Sequence, residues 1–165
     1  MGINNFFIQT YLRIKYGENL LEKHFKYFGI DTFSGIDKQY LTEKELSITA
    51  EYSFRAYGNQ SLKAIDARFK KFNNLKLIQG TIPEILSNLD FSKCDFLHVD
   101  MNNALPEVEA IRFFLPLMTK NSFMLLDDYG FSSAHIQRKS IDDLFTSRNL
   151  TLPISLPTGQ GLVLI

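Results

Sequence analysis

Two short, almost wholly apolar runs, Phe96–Val99 and Phe123–Leu126, each stop on carboxylates: Asp100 after the first, Asp127 and Asp128 after the second. Runs of this kind suit parallel strands covered on both faces by helices. Between them, Pro106 and Glu107 open a segment that carries Val108, Ile111, Leu115 and Met118 at helical spacing, and Pro116 kinks or ends it. In an open parallel sheet the ligand crevice lies at the carboxyl ends of the strands. Asp100, Asp127 and Asp128 are therefore expected to converge on one rim, although a whole helix separates them along the chain.

The flanking sequence repeats the plan. Tyr11–Phe28 reads as an amphipathic helix weakened at Gly17, and Tyr27–Ile30 as a strand that ends at Asp31. Thr32, Phe33, Ser34 and Gly35 form a turn, and a polar loop running to Ser47 reads as a lid or a simple connection. Ser61 is positioned to cap a helix bearing Leu62, Ile65, Phe69 and Phe72, which Asn73 and Asn74 end. Leu75–Ile78 is a third strand. After Gly80, Thr81 is expected to cap a short helix with Pro83 and Glu84 in its first turn. Ser132 or Ser133 caps another, striped by Ile136, Ile141, Leu144 and Phe145. Leu150–Leu156 and Gly161–Ile165 flank Pro157-Thr158-Gly159-Gln160, which predicts an antiparallel hairpin. Strands alternating with helices and closing on a hairpin make a doubly wound, mostly parallel α/β sheet.

With 165 residues, 45% of them hydrophobic, the chain suffices for one core, so residues 1–165 read as a single domain with 1–25 as a helical amino-terminal segment. Eighteen basic side chains against eighteen acidic ones argue against a nucleic acid or an anionic membrane as partner. A small-molecule ligand fits better, and self-association into a homo-oligomer stays open. The single cysteine, Cys94, cannot form an intrachain disulfide, and a reducing, cytoplasmic setting is the default. The amino terminus lacks the pattern of a signal peptide, Phe6 stands where a myristoylation site wants Ser or Thr, and no apolar run is long enough to span a bilayer.

A lone aspartate at a strand end is as often a cap as a ligand. Three at one rim repel each other unless a cation lies between them, and their hard oxygens suit Mg²⁺ or Ca²⁺. His98 lies two residues before Asp100, on the same face of its strand, and reads as a satisfied core histidine. His24 and His135 show no ligand-like spacing, and the many aromatics read as core, with Phe33 the exception to watch. Asp31 is the residue type that accepts hydrogen bonds from ribose hydroxyls, yet the only glycines from Met1 to Asp31 are Gly2, Gly17 and Gly29, so no G-x-G turn precedes it.

The segments FGIDTFSGI, LIQGTIPEIL, FLHVDMNNALPE, MLLDDYGF and LPTGQGLVLI together resemble successive motifs of class I S-adenosylmethionine-dependent methyltransferases, nearest to the macrocin-type sugar O-methyltransferases. The resemblance runs from about Tyr27 to Ile165. It implies a Rossmann-like fold and methyl transfer to a hydroxyl of a small molecule. It also implies that Asp31, with Thr32 and Phe33, holds the donor's ribose, and that Gln79, Gly80 and Thr81 border its adenine. Asp100, Asp127 and Asp128 match the Mg²⁺ ligands, with Asp100 also a catalytic base. Asn102 and Ala104 stand where the sugar-modifying enzymes carry a second aspartate and a tyrosine.

The glycine-rich first strand of that family is missing, so the fold reads as incomplete at its amino-terminal side. Either Ile3–Leu12 supplies a substitute strand, or the flanking strands pair directly, or the natural protein is longer. In each case the chain is expected to bind S-adenosylmethionine poorly and turn over little. Two rival readings are a catalytically weak binding or assembly subunit on the same fold, and a Mg²⁺-dependent phosphoryl-transfer or receiver-like domain. The second has its acids in the wrong order, since a receiver carries the pair on an early strand and the lone aspartate later.

Overall fold

A computed structural model describes residues 3–48 and 61–165. The chain divides into two compact units, one of Met1–Ser34 with Asn59–Gly80 and one of Gly35–Gly58 with Thr81–Ile165.

In the first unit, α1 (Ile3–Tyr16) and α2 (Glu18–His24) precede β1 (Tyr27–Asp31), and α4 (Leu62–Phe69) precedes β2 (Leu75–Gln79). The expected helix is thus longer toward the amino terminus and broken in the middle. Gly17 makes the break, with φ 80°, a conformation that costs glycine nothing and most residues a great deal. The substitute strand proposed for Ile3–Leu12 is not formed, because that segment is helical. Phe7, Ile8, Tyr11 and Leu12 recur at i, i+1, i+4 and i+5, a spacing that groups them on a helix and scatters them over both faces of a strand. β1 and β2 pair in parallel from Tyr27 opposite Leu75 to Asp31 opposite Gln79. Leu21, Ile65 and Phe72 are buried.

In the second unit a helical stretch, α3, covers 43–48. β3 (Cys94–Val99), α5 (Ala104–Phe114), β4 (Met118–Leu126), α6 (His135–Ser147), β5 (Ile154–Ser155) and β6 (Gly161–Leu164) follow. Their sheet has the order β3-β4-β6-β5. β3 and β4 are parallel, while β6 runs antiparallel to both β4 and β5, so the carboxy-terminal hairpin forms as its turn residues predict. The core joins Ile111 of α5 and Ile141, Leu144 and Phe145 of α6 to Val99, Met124, Leu126 and Val163 of the sheet. Each such side chain taken fully out of water contributes about 1.5–3 kcal/mol before ordering costs. Among the described residues the strands form two separate sheets, β1-β2 and β3-β4-β6-β5.

Two caps fall elsewhere than expected. Thr81 starts no α-helix: a 3-10 turn, Glu84–Asn88, follows instead, and the Thr81 hydroxyl donates to Asp37 at 3.4 Å. Ser132 and Ser133 lie inside a 3-10 turn, Ser132–Ala134, and α6 begins after it without a side-chain cap. Ser61 does cap α4, its hydroxyl oxygen accepting the Ala64 amide at 3.2 Å.

Candidate active site

The ladder between β3 and β4 sets the acidic rim. Val99 stands opposite Leu126, and the Asp127 amide donates to the Val99 carbonyl at 2.9 Å, which carries the pairing one residue past the strand. Asp100 and Asp127 therefore leave neighbouring strands at the same level. Residues 96, 98 and 100 share one face of β3. Along it the Phe96 ring packs 4.7 Å from Phe123 and lies nearly parallel to the His98 imidazole.

His98 does not end in the core. Its Nε2 lies 3.5 Å from Asp127 Oδ1, and one ligand atom from each of His98, Asp100 and Asp127 falls within 4.8 Å of the other two. The expected convergence of Asp100 and Asp127 is present, with an imidazole beside them. Asp128, the third predicted ligand, stands outside that trio. Burial, with the charges of Asp127 and Asp100, pushes its carboxyl up to about 6.

A fourth acid belongs to the same neighbourhood. Glu107, in the first turn of α5, is buried, and its Oε1 accepts the Met101 amide at 3.3 Å. Burial first, then the charges of Asp128 and Asp100, push it up to about 8, so it carries a proton at neutral pH. Asn102, where the sugar-modifying enzymes carry an aspartate, adopts φ 55° and donates to Asp100 Oδ1 at 3.3 Å.

The carboxy-terminal hairpin holds Asp127 from the other side. Gln160 Nε2 donates to Asp127 Oδ1 at 3.2 Å, and the Thr158 hydroxyl donates to Gln160 Oε1 at 2.5 Å, which fixes which end of the amide faces the acid. Two glycines let the hairpin lie against the Asp127–Phe131 loop. The Gly130 amide donates to the Gly159 carbonyl at 2.7 Å, and a Cβ on Gly161 would sit 2.7 Å from the Tyr129 ring. Tyr129 in turn donates to Asp142 of α6 at 2.6 Å. Sequence reasoning saw only a turn in Thr158-Gly159-Gln160, because turn chemistry alone accounts for those residue types. It saw only a helix start in Glu107.

All the residues expected to meet a methyl donor except Thr81 lie in the first unit. Asp31 Oδ1 accepts the Phe33 amide at 2.6 Å, and burial raises the Asp31 carboxyl against that hydrogen bond's lowering effect. The Asp31 carbonyl accepts the Gly80 amide at 3.0 Å, and Gln79 Nε2 donates to the Thr32 carbonyl at 3.2 Å. Asp31, Thr32, Phe33, Gln79 and Gly80 thus form one connected group at the carboxyl ends of β1 and β2. Phe33 is 8% exposed and holds φ 54°. Thr81 belongs to the second unit, where its hydroxyl meets Asp37.

The methyltransferase domain family matches residues 13–129. No sequence among the curated proteins matches the chain. Among solved structures, that of the O-methyltransferase NovP superposes with a TM-score of 0.72 at 11% identity, covering 84% of this chain and 59% of that one. That of CalS11, calicheamicin methyltransferase, gives 0.64 at 13% identity, covering 84% and 60%. An apo structure of CalS11, described as TDP-rhamnose 3'-O-methyltransferase, gives 0.53 at 13% identity, covering 84% and 58%. The chain spans about three-fifths of the length of these structures, and the likeness is one of fold. No helix among the described residues is long and apolar enough to cross a membrane. Its sequence match over residues 13–129 and its Rossmann-like α/β fold make this chain a member of the methyltransferase domain family.

Proposed function

We propose that this chain is a class I methyltransferase that takes its methyl group from S-adenosylmethionine and delivers it to a hydroxyl of a small molecule, with a divalent cation at the acidic rim. The observation that carries the reading is the meeting of Asp100 and Asp127 at the ends of parallel neighbours β3 and β4, in a chain of this family. The match to folds named as O-methyltransferases, one of them described as acting on TDP-rhamnose, supports a sugar-type hydroxyl as the acceptor class.

The residues fit both groups. The Asp31 carboxylate accepts the Phe33 amide and a side-chain hydrogen bond from Thr32; it suits the paired hydroxyls of a ribose, and Gln79 and Gly80 would border the adenine. The clustered oxygens of Asp100 and Asp127 suit a divalent cation, and Asp128, which stands outside that cluster, would have to turn toward it to serve as a third ligand. When bound, S-adenosylmethionine would supply an electrophilic methyl carbon on a sulfonium, and a cation held by Asp100 and Asp127 would lower the pKa of the acceptor hydroxyl. Asp100 accepts the hydroxyl proton, and Asn102 steadies Asp100 through its amide. Protonated Glu107 keeps the local negative charge down, and Gln160 holds Asp127 in place. Positioning and exclusion of water account for most of the acceleration in such a transfer.

The test titrates S-adenosylmethionine into the protein by calorimetry, then follows release of S-adenosylhomocysteine over a panel of hydroxylated sugars with Mg²⁺, Mn²⁺ or EDTA present. The expected result is donor binding, release that needs both an acceptor hydroxyl and a cation, and loss of release in Asp127→Asn. Donor binding with no release from any acceptor under any cation would instead favour a binding subunit. No donor binding at all would sink the proposal.

A further inference from the structure

The acidic rim is not built of oxygen alone. We propose that His98 is a ligand of the divalent cation through Nε2, alongside Asp100 and Asp127, and that the site therefore takes a borderline ion such as Mn²⁺, Fe²⁺ or Zn²⁺ in preference to Mg²⁺ or Ca²⁺. This rests on the reading of the rim as a cation site and adds to it a nitrogen donor that changes which ion is held.

The geometry carries the inference. Nε2 of His98 stands 3.5 Å from Asp127 Oδ1, too long for a good hydrogen bond, and Asp127 Oδ1 already receives the Gln160 amide at 3.2 Å. Two ligand atoms that share an ion at about 2.1 Å stand roughly 3.0 Å apart at a right angle and roughly 3.4 Å apart at the tetrahedral angle. The spacing of Nε2 and Oδ1 matches the second value, and Asp100 offers an oxygen inside the same 4.8 Å cluster.

The surroundings keep the imidazole in this place. His98 lies on β3 with its ring parallel to Phe96, and its side chain is 15% exposed while that of Asp127 is 28% exposed. Such a ring has little freedom to turn away, so most of the ordering cost of a ligand is met by the fold. The groups that orient such a ligand are also present, since Gln160 donates to Asp127 and is itself held by Thr158. Mg²⁺ and Ca²⁺ want oxygen throughout, whereas imidazole nitrogen favours the later first-row ions.

Absolute affinities do not decide the matter, because many oxygen-only sites also hold Mn²⁺ somewhat more tightly than Mg²⁺. The informative quantity is how the Mn²⁺ to Mg²⁺ preference changes when His98 is removed. Free Mn²⁺ is measured by its solution EPR signal as the protein takes it up, and Mg²⁺ is added as competitor, for wild type, His98→Gln and Asp127→Asn. The expected result is a preference that falls at least about tenfold in His98→Gln with Mg²⁺ affinity little changed, and loss of both ions in Asp127→Asn. Pulsed EPR on Mn²⁺-loaded wild type should also show coupling to an imidazole ¹⁴N that His98→Gln lacks.

That spectrum decides the question on the native protein even where a variant folds poorly. Mn²⁺ bound without nitrogen coupling, or a preference that His98→Gln leaves unchanged, overturns the inference and leaves the cation reading standing. A wild type that binds neither ion overturns both.

Discussion

The Glu45 carboxylate and the Ala104 amide meet at 2.8 Å, so a side chain of the short helix α3 closes the open amino terminus of α5. The other oxygen of the same carboxylate accepts the Thr42 amide at 2.9 Å and the Thr42 hydroxyl at 2.7 Å, and the Thr42 oxygen accepts the Glu45 amide at 3.2 Å. That exchange is a capping box, and here its acid serves two helices at once. Asn103, the residue before α5, ties the same junction by donating to the Asp37 carbonyl at 3.3 Å. The polar stretch that reads as a lid in the sequence is thereby fastened, over residues 37–45, to the helix that follows Asp100.

Glu45→Ala should therefore leave amide donors unmet at two helix starts, with Glu45 itself only 4% exposed. The expected cost is roughly 2–4 kcal/mol, from two lost caps and the desolvated donors they leave. Glu45→Gln keeps one acceptor and should lose about half as much. Urea unfolding of the three proteins measures this, and an unchanged midpoint in Glu45→Ala would remove the capping role.

Glu107 gives the protein a pH dependence of defined sign. Its carboxyl is pushed from the ordinary value of 4.5 up to about 8, chiefly by burial, so between those values the folded state holds a proton that the unfolded state has released. Stability should then fall as pH rises from about 5 to 8, by an amount on the order of a few kcal/mol. Glu107→Gln mimics the protonated acid and should flatten that slope while matching wild type near pH 5. Denaturation in EDTA across this range tests it; parallel curves for the two proteins would show that Glu107 is ionised in the fold.

The strands, the helices and the closing hairpin were legible because apolar periodicity reports burial, and burial is what the fold conserves in space. The acidic rim was legible for a related reason: β3 and β4 are read as parallel neighbours, and their next residues must then meet. The partner of His98 was not legible because its neighbours in sequence, Leu97 and Val99, are apolar, whereas its neighbour in space, Asp127, comes from another strand. Gln160 and Glu107 were missed likewise, since a turn residue and a first-turn acid each have a sufficient local explanation. The two units and the helical state of Ile3–Tyr16 lay beyond the argument from motifs, which said what was missing before Asp31 but not what the residues there would form.

The packing of Tyr129 against Gly161 predicts a specific sensitivity in the hairpin. A Cβ at Gly161 would lie 2.7–2.8 Å from three atoms of the tyrosine, in a buried place where neither β6 nor the ring has room to yield. Gly161→Ala should cost about 1–3 kcal/mol, the scale for overpacking. By shifting Gln160 it should also weaken cation binding. Tyr129→Phe keeps the ring, loses only the bond to Asp142, and should cost about 1 kcal/mol with cation binding intact. Thermal melts and Mn²⁺ titration of both variants separate the two effects; equal behaviour would mean that the hairpin does not position Asp127.

Asp31 has two tasks that substitution can separate. Its Oδ1 holds the Phe33 amide at 2.6 Å, a bond that supports the left-handed turn at Phe33, φ 54°, and the carboxylate as a whole is the group that would accept the ribose hydroxyls of the donor. No glycine turn of the G-x-G type precedes it: Gly17 lies between two helices, and Gly29 lies inside β1. In the proposed donor site the methionine end would gain no glycine-rich cradle from the described residues of that segment, and Asp31 would bear a larger share of the affinity. Asp31→Ala loses both the turn and the acceptor, whereas Asp31→Asn can keep one oxygen for Phe33 while presenting an NH₂ that cannot accept from a hydroxyl. Both should weaken binding of S-adenosylhomocysteine by roughly 1.5–3 kcal/mol, the scale of a charge-assisted hydrogen bond. Only Asp31→Ala should also speed exchange of the Phe33 amide. Because burial raises the Asp31 carboxyl, wild-type affinity should begin to fall at a higher pH, on acidification, than an ordinary aspartate would allow. Calorimetry across that range, with amide exchange on the variants, checks all three; full affinity in Asp31→Asn would leave Asp31 only the support of its turn.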